Sequence, residues 1–120
     1  MNNGAPVFFI AEYHPFNTIL TSSKNTVVVN NTFSLTCTAQ ANPPAKYIFY
    51  RGQEILNISQ NDERVAVLET SVGERIDNVS YRCTPFNDYG YGETDEELVT
   101  VNCKYIPLTL LFLNFFLQVL

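Results

Sequence analysis

Eight consecutive residues, Thr32-Phe-Ser-Leu-Thr-Cys-Thr-Ala39, alternate polar and apolar without a break. Period two places Phe33, Leu35, Cys37 and Ala39 on one face of an extended chain and Ser34, Thr36 and Thr38 on the other. A helix would scatter these residues around its axis, so the stretch reads as a half-buried strand. Asn42-Pro43-Pro44 stops it, because proline cannot donate to a ladder. Lys46–Arg51, Glu54–Ile58, Val79–Phe86 and Glu97–Asn102 read as further strands, and Thr26-Val-Val-Val29 as an edge strand. Arg64–Leu68 and Glu69–Val72 read as two weaker strands on either side of a kink. Asn87-Asp-Tyr-Gly-Tyr-Gly92 is a turn suited to positive φ. No three-turn helical stripe occurs in residues 18–102. Short strands with turns every 8–12 residues predict an all-β antiparallel sandwich.

The chain has 120 residues, the size of one domain. Seven basic against twelve acidic residues give a net charge of −5. That argues against a nucleic-acid binder, which usually needs a basic face. It also argues against recruitment to anionic lipid through Lys and Arg. Three cysteines lack the pairing of a structural zinc site.

Cys37 and Cys83 lie 46 positions apart, each inside an expected strand. Asp77-Asn-Val-Ser-Tyr81-Arg-Cys83 resembles the Asp-x-Gly/Ala-x-Tyr-x-Cys signature of immunoglobulin-superfamily domains. Asn87-Asp-Tyr-Gly90-Tyr-Gly92 resembles the Asn-x-x-Gly-x-Gly turn that follows it. Ala41-Asn-Pro-Pro44 resembles the loop after the first cysteine. The short cysteine spacing resembles the I-set or C2 type, because variable-type domains insert two extra strands. The resemblance covers residues 16–102. It implies an immunoglobulin-like sandwich of two Greek-key sheets over 16–103. Residues 1–15 then form an N-terminal segment and 104–120 an apolar tail. Two positions depart from the family pattern: Phe49 stands where tryptophan is usual, and Val79 where Gly or Ala is.

The resemblance also implies a Cys37–Cys83 disulfide between the sheets, with Phe49 packed on it. Two buried free thiols, as in intracellular muscle domains of the superfamily, are the alternative. Tyr81 would bury its ring and bond backbone upstream through its hydroxyl. Asn-x-Ser/Thr triplets at Asn30, Asn57 and Asn78 are glycosylation acceptors if the chain enters the secretory pathway, and they favour the disulfide. Asn30 and Asn78 are expected at the Cys103 end of the sandwich, and Asn57 toward the other. Cys103, in Asn102-Cys-Lys-Tyr-Ile-Pro107, resembles a junction to a neighbouring domain. From Ile106 the apolar tail is about 22 Å long as a helix, against a hydrocarbon core of about 30 Å. It reads as a truncated membrane span, a signal or an arbitrary chain end.

Nothing in the sequence points to catalysis, a cofactor or a metal. His14 is the one histidine, and no serine or cysteine has a base at a recognisable spacing. Glu93, Asp95, Glu96 and Glu97 crowd the last strand, but carboxylates adjacent on a strand alternate faces and converge poorly on a cation. They read as a solvated edge.

Function therefore rests on binding. If Phe49, Tyr81 and Cys83 point inward, alternation sends Ile48, Tyr50, Arg82, Thr84 and Phe86 outward, and Leu98 joins them if Val99 and Val101 point inward. Ile48, Tyr50, Arg82, Phe86 and Leu98 form the candidate binding face, since aromatic residues and arginine favour interfaces. The outer face of the other sheet is expected to be polar, with Ser34, Thr36 and Thr38. The family analogy implies a binding module of an extracellular or cell-surface protein, engaged in adhesion or receptor recognition through protein partners and flanked by similar domains. A passive spacer in a tandem array and an intracellular scaffold domain are the alternatives.

Overall fold

The computed structural model describes residues 11–59, 64–73 and 78–102. Nine strands run in chain order: β1 (Tyr13–Ser22), β2 (Thr26–Val28), β3 (Phe33–Asn42), β4 (Lys46–Arg51), β5 (Glu54–Ile58), β6 (Val65–Thr70), β7 (Asn78–Asn87), β8 (Gly90–Tyr91) and β9 (Asp95–Asn102). No helix occurs among the described residues. One sheet has three strands in the order β1-β3-β6; the other runs β2-β9-β7-β4-β5, with β8 paired to β7. The two pack face to face as an immunoglobulin-like sandwich.

The alternation of β3 does what its sequence requires. Phe33, Leu35 and Cys37 are buried, while Ser34, Thr36 and Thr38 are half-exposed. From the facing sheet come Tyr47, Phe49, Val79, Tyr81, Cys83, Val99 and Val101, all buried. These two inner faces make one continuous core. Val79 shows that this position accommodates a larger side chain than Gly or Ala, since it is itself part of the core.

Three expectations change. First, β1 has no counterpart in the expected strands, and it begins at Tyr13, within the segment assigned ahead of the domain. Its ladder to β3 shifts register twice, between Tyr13 and Phe16 and between Phe16 and Ile19. Asn17 sits at φ 54° between them. The buried residues of β1 are thus Pro15 and Leu20, a spacing that period two does not reveal. Second, 65–70 is one strand, because its pairing with β3 runs unbroken from Phe33↔Thr70 to Thr38↔Val65 and leaves no kink at Leu68. Third, the sandwich is not wholly antiparallel. The chain leaves β1 for the opposite sheet without reversing, so β2 runs parallel to β9, with Val27 level with Val101.

Polar side chains lock these elements. Asp95 Oδ2 accepts a hydrogen bond of 2.8 Å from the Leu20 amide, which ties β9 to β1 across the sheets. Asp95, read from sequence as part of a solvated edge, thus has a structural partner. Asn87 donates through Nδ2 to the carbonyls of Tyr13 (2.8 Å) and Pro43 (2.9 Å), and its Oδ1 accepts from the Tyr89 amide. One side chain therefore joins the start of β1, the β3–β4 loop and the β7–β8 turn. Gly92 closes that turn by donating a backbone N–H hydrogen bond of 2.8 Å to Pro85 O. A Cβ there would lie 2.7 Å from Pro15 O and 2.9 Å from Pro15 Cβ and Pro85 Cγ. Gly92→Ala is therefore expected to cost roughly 1–3 kcal/mol through overpacking. A melting curve checks it: an unchanged Tm would mean that the first turn of β1 yields freely.

Candidate recognition face

The disulfide sets the geometry of the candidate site. Cys37 on β3 and Cys83 on β7 are bonded, with Cα atoms 6.5 Å apart. Phe49 is level with Cys83 in the β4–β7 ladder and belongs to the same buried cluster. Tyr81 is fully buried, and its ring meets Phe33 edge-on at 5.6 Å between centroids. Its hydroxyl accepts from Arg51 Nε at 3.3 Å. Arg51 also donates to Thr70 Oγ1 and Ser71 O, which clamps β4 to the far sheet. Asp77, Cys103 and the tail lie outside the described residues.

With Phe49, Tyr81 and Cys83 pointing inward, their neighbours must point outward. The ladders place Ile48 opposite Thr84, Tyr50 opposite Arg82, Arg82 opposite Glu96, and Ser80 opposite Leu98. All five candidate residues thus share the outer face of the larger sheet. Leu98 is exposed; Ile48, Tyr50, Arg82 and Phe86 are half-buried. The Arg82 guanidinium lies 4.9 Å from the centroid of the Tyr50 ring, and its Nη2 donates to Gly52 O at 2.8 Å. Such stacking keeps an aromatic ring and a cation together at the surface. Phe86 pairs with Tyr91 across the hairpin, ring centroids 5.8 Å apart.

The face is a mosaic and not a continuous apolar patch. Thr84 bonds Thr94 at 2.6 Å, and Ser80 bonds Glu96 at 2.6 Å. Leu98 is therefore separated from Tyr50 and Phe86 by polar pairs. Sequence reasoning missed Tyr91, 68% exposed beside Phe86, and Ile55, level with Tyr50 on the edge strand. Tyr91 could have been found: a turn at Asn87–Gly90 folds the following residues back beside β7.

Asn30, Asn57 and Asn78 are all exposed. Asn30 and Asn78 lie at one end of the sandwich, where Val29 bonds Asn102 O and Asn78 pairs with Thr100. Asn57 pairs with Phe49, which is level with Cys83, so it sits at mid-height on an edge strand and not toward the far end. The outer face of the three-stranded sheet also differs from expectation. It carries Ile19, Val65 and Val67 beside its threonines, each more than half exposed. Those side chains come from the flanking strands, where alternation was not legible.

Among the described residues, no group of three or more His, Cys, Asp or Glu could hold a metal ion. No helix among them is long and apolar enough to cross a membrane.

Comparison with known proteins agrees with this geometry. No curated protein sequence matches significantly. Among solved structures, the mouse nectin-like molecule 4 ectodomain (Ig1–Ig3) aligns with a TM-score of 0.56 at 23% identity, over 81% of this chain and 33% of that one. Titin M4 aligns with a TM-score of 0.54 at 19% identity, over 78% and 99%. The PKD domain of an M14-like peptidase from a Thermoplasmatales archaeon aligns at 0.55 and 11% identity, over 76% and 98%. At these identities the likeness is one of fold. The family described as immunoglobulin domain matches residues 17–103, well over half of the sequence. The chain, with its inter-sheet disulfide and two-layered sandwich, belongs to the immunoglobulin domain family.

Proposed function

We propose that the chain is a non-enzymatic binding module of an extracellular or cell-surface protein. It recognises a protein partner through the outer face of the β5-β4-β7-β9 sheet. The observation that carries this reading is the placement of Tyr50, with Arg82 stacked on it, beside Ile48 on the solvent-facing surface that also carries Phe86 and Leu98. Aromatic rings and arginine supply large contact area with little side-chain entropy to lose, which is why they concentrate at interfaces. The polar pairs Thr84–Thr94 and Ser80–Glu96 suit a recognition surface that must stay soluble when free. Exposed apolar side chains on both outer faces argue against a passive spacer.

The extracellular assignment draws on the disulfide, which persists in oxidising compartments, and on three acceptor triplets whose asparagines are exposed. The mouse ectodomain with the same fold is consistent with it. Cys103 would then mark the junction to a neighbouring immunoglobulin-like domain. Residues 104–120 would lead toward that domain or a membrane.

The test is binding of the multimerised chain to an array of cell-surface ectodomains that includes the chain itself. Tyr50→Ser with Phe86→Ser is expected to abolish any interaction, leaving the melting temperature within a few degrees of wild type. Binding that survives both changes would remove this face and leave the Asn87–Gly92 turn as the next candidate.

A further inference from the structure

The three acceptor asparagines stand on different parts of the sandwich. Asn30 lies in the turn between β2 and β3, where its N–H bonds Val72 O and its Oδ1 would lie 3.7 Å from a Cβ on Gly73. Its side chain therefore leaves toward the segment after β6. Asn57 is level with inward-facing Phe49, and cross-strand partners share a face, so it belongs to the inner side of an edge strand. Asn78 differs from both. It opens β7 next to buried Val79, so it points outward with Ser80 and Arg82. It is level with exposed Thr100 of β9, whose Oγ1 donates to Asn78 Oδ1 at 3.3 Å. Ser80 is level with Leu98, which makes Leu98 the diagonal neighbour of Asn78 on the outer face of the larger sheet. Leu98 is 65% exposed.

We propose that an N-linked glycan on Asn78 covers the Leu98 end of the recognition face and confines the contact surface to the end that carries Ile48, Tyr50 and Phe86. This rests on the reading of the chain as a secreted module that binds through this sheet. Asn78-Val79-Ser80 supplies the acceptor. In the transfer, Asn78 Nδ2 bonds to the anomeric carbon of a lipid-diphosphate-linked oligosaccharide and loses one proton. The bond from that carbon to the diphosphate oxygen breaks, and the lipid diphosphate leaves with the electron pair. Oδ1 is untouched, so the hydrogen bond from Thr100 still holds the carboxamide toward β9, the strand of Leu98. Spacing then decides what the sugars cover. Diagonal neighbours on a sheet are about 7–8 Å apart, less between Cβ atoms. Arg82, level with Tyr50, is further along β7 by about 14 Å at the usual rise. The first sugars therefore stand over Leu98 and short of the Tyr50–Arg82 stack.

The experiment uses the full chain secreted from a eukaryotic host. Site-resolved glycopeptide masses should show Asn78 occupied. Hydroxyl-radical oxidation reads the exposure of Leu98 and Tyr50 without any partner. Asn78→Gln and Ser80→Ala each destroy the triplet by a different route. Each should raise Leu98 oxidation several-fold and leave Tyr50 as in wild type. Asn30→Gln should change neither. Leu98 oxidation that is equal with and without the glycan overturns the proposal. So does Tyr50 oxidation that rises together with that of Leu98, because the glycan then covers the whole face. Asn78 left bare while Asn30 or Asn57 carries sugar overturns the proposal and leaves the recognition reading standing. A chain with all three asparagines bare overturns it together with the secretory reading.

Discussion

Replacing Cys37 and Cys83 together by alanine is expected to lower the unfolding free energy by about 4 kcal/mol. The bond closes a loop of 46 positions, and the chain-entropy estimate grows with the logarithm of that length. The folded state should change little. Both cysteines are fully buried within the shared core, and alanine leaves only a small void on each side. The cost therefore falls on the unfolded chain, which gains freedom. Domains of this size are stable by only about 5–15 kcal/mol, so the variant should be marginal near body temperature. Equilibrium urea unfolding of the two forms measures the difference. A loss below about 1 kcal/mol would mean that the sheets hold their spacing without the bond.

Phe49→Ala is expected to cost about 3–5 kcal/mol, the range for deleting a buried ring. Phe49 is 1% exposed and packs in the core cluster that holds Cys37 and Cys83. A tryptophan usual at this position would fill more volume and bring an N–H that needs a partner. Phenylalanine fills the site with carbon alone. Phe49→Leu keeps most of that volume and should cost far less, which separates a volume effect from an aromatic one. The two variants can be compared in the same urea series. Equal, small losses for both would place the core elsewhere.

Most of the strands that sequence showed have one buried face, as β3, β4 and β7 do, although β5 was also found with no buried residue. Phe33, Leu35 and Cys37 alternate with Ser34, Thr36 and Thr38, and β4 and β5 have the expected bounds. The disulfide followed from a family resemblance carried by Tyr81-Arg-Cys83, which the family match and the structure support. What stayed hidden was non-local. β1 is buried at Pro15 and Leu20 because two register shifts reset its alternation, and only its pairing with β3 reveals this. Asp95 resembled its acidic neighbours until β1 brought the Leu20 amide to it. The candidate face was legible in membership but not in continuity. Alternation says which side chains point outward; it does not say that Ser80 and Arg82 of β7 stand between Leu98 and Tyr50. Val65 and Val67 were assigned to no face, although alternation within the expected strand Arg64–Leu68 puts them on the same one.

The binding reading depends on the chain being oxidised and carried through the secretory pathway. One measurement tests this most directly: the intact mass of the full chain secreted from a eukaryotic host, alkylated without reduction, before and after enzymatic removal of N-linked glycans. Cys37 and Cys83 should resist alkylation, and the mass should fall on deglycosylation at one or more of Asn30, Asn57 and Asn78. Alkylation of both cysteines, with no fall in mass on glycan removal, would contradict the extracellular assignment and favour an intracellular scaffold domain.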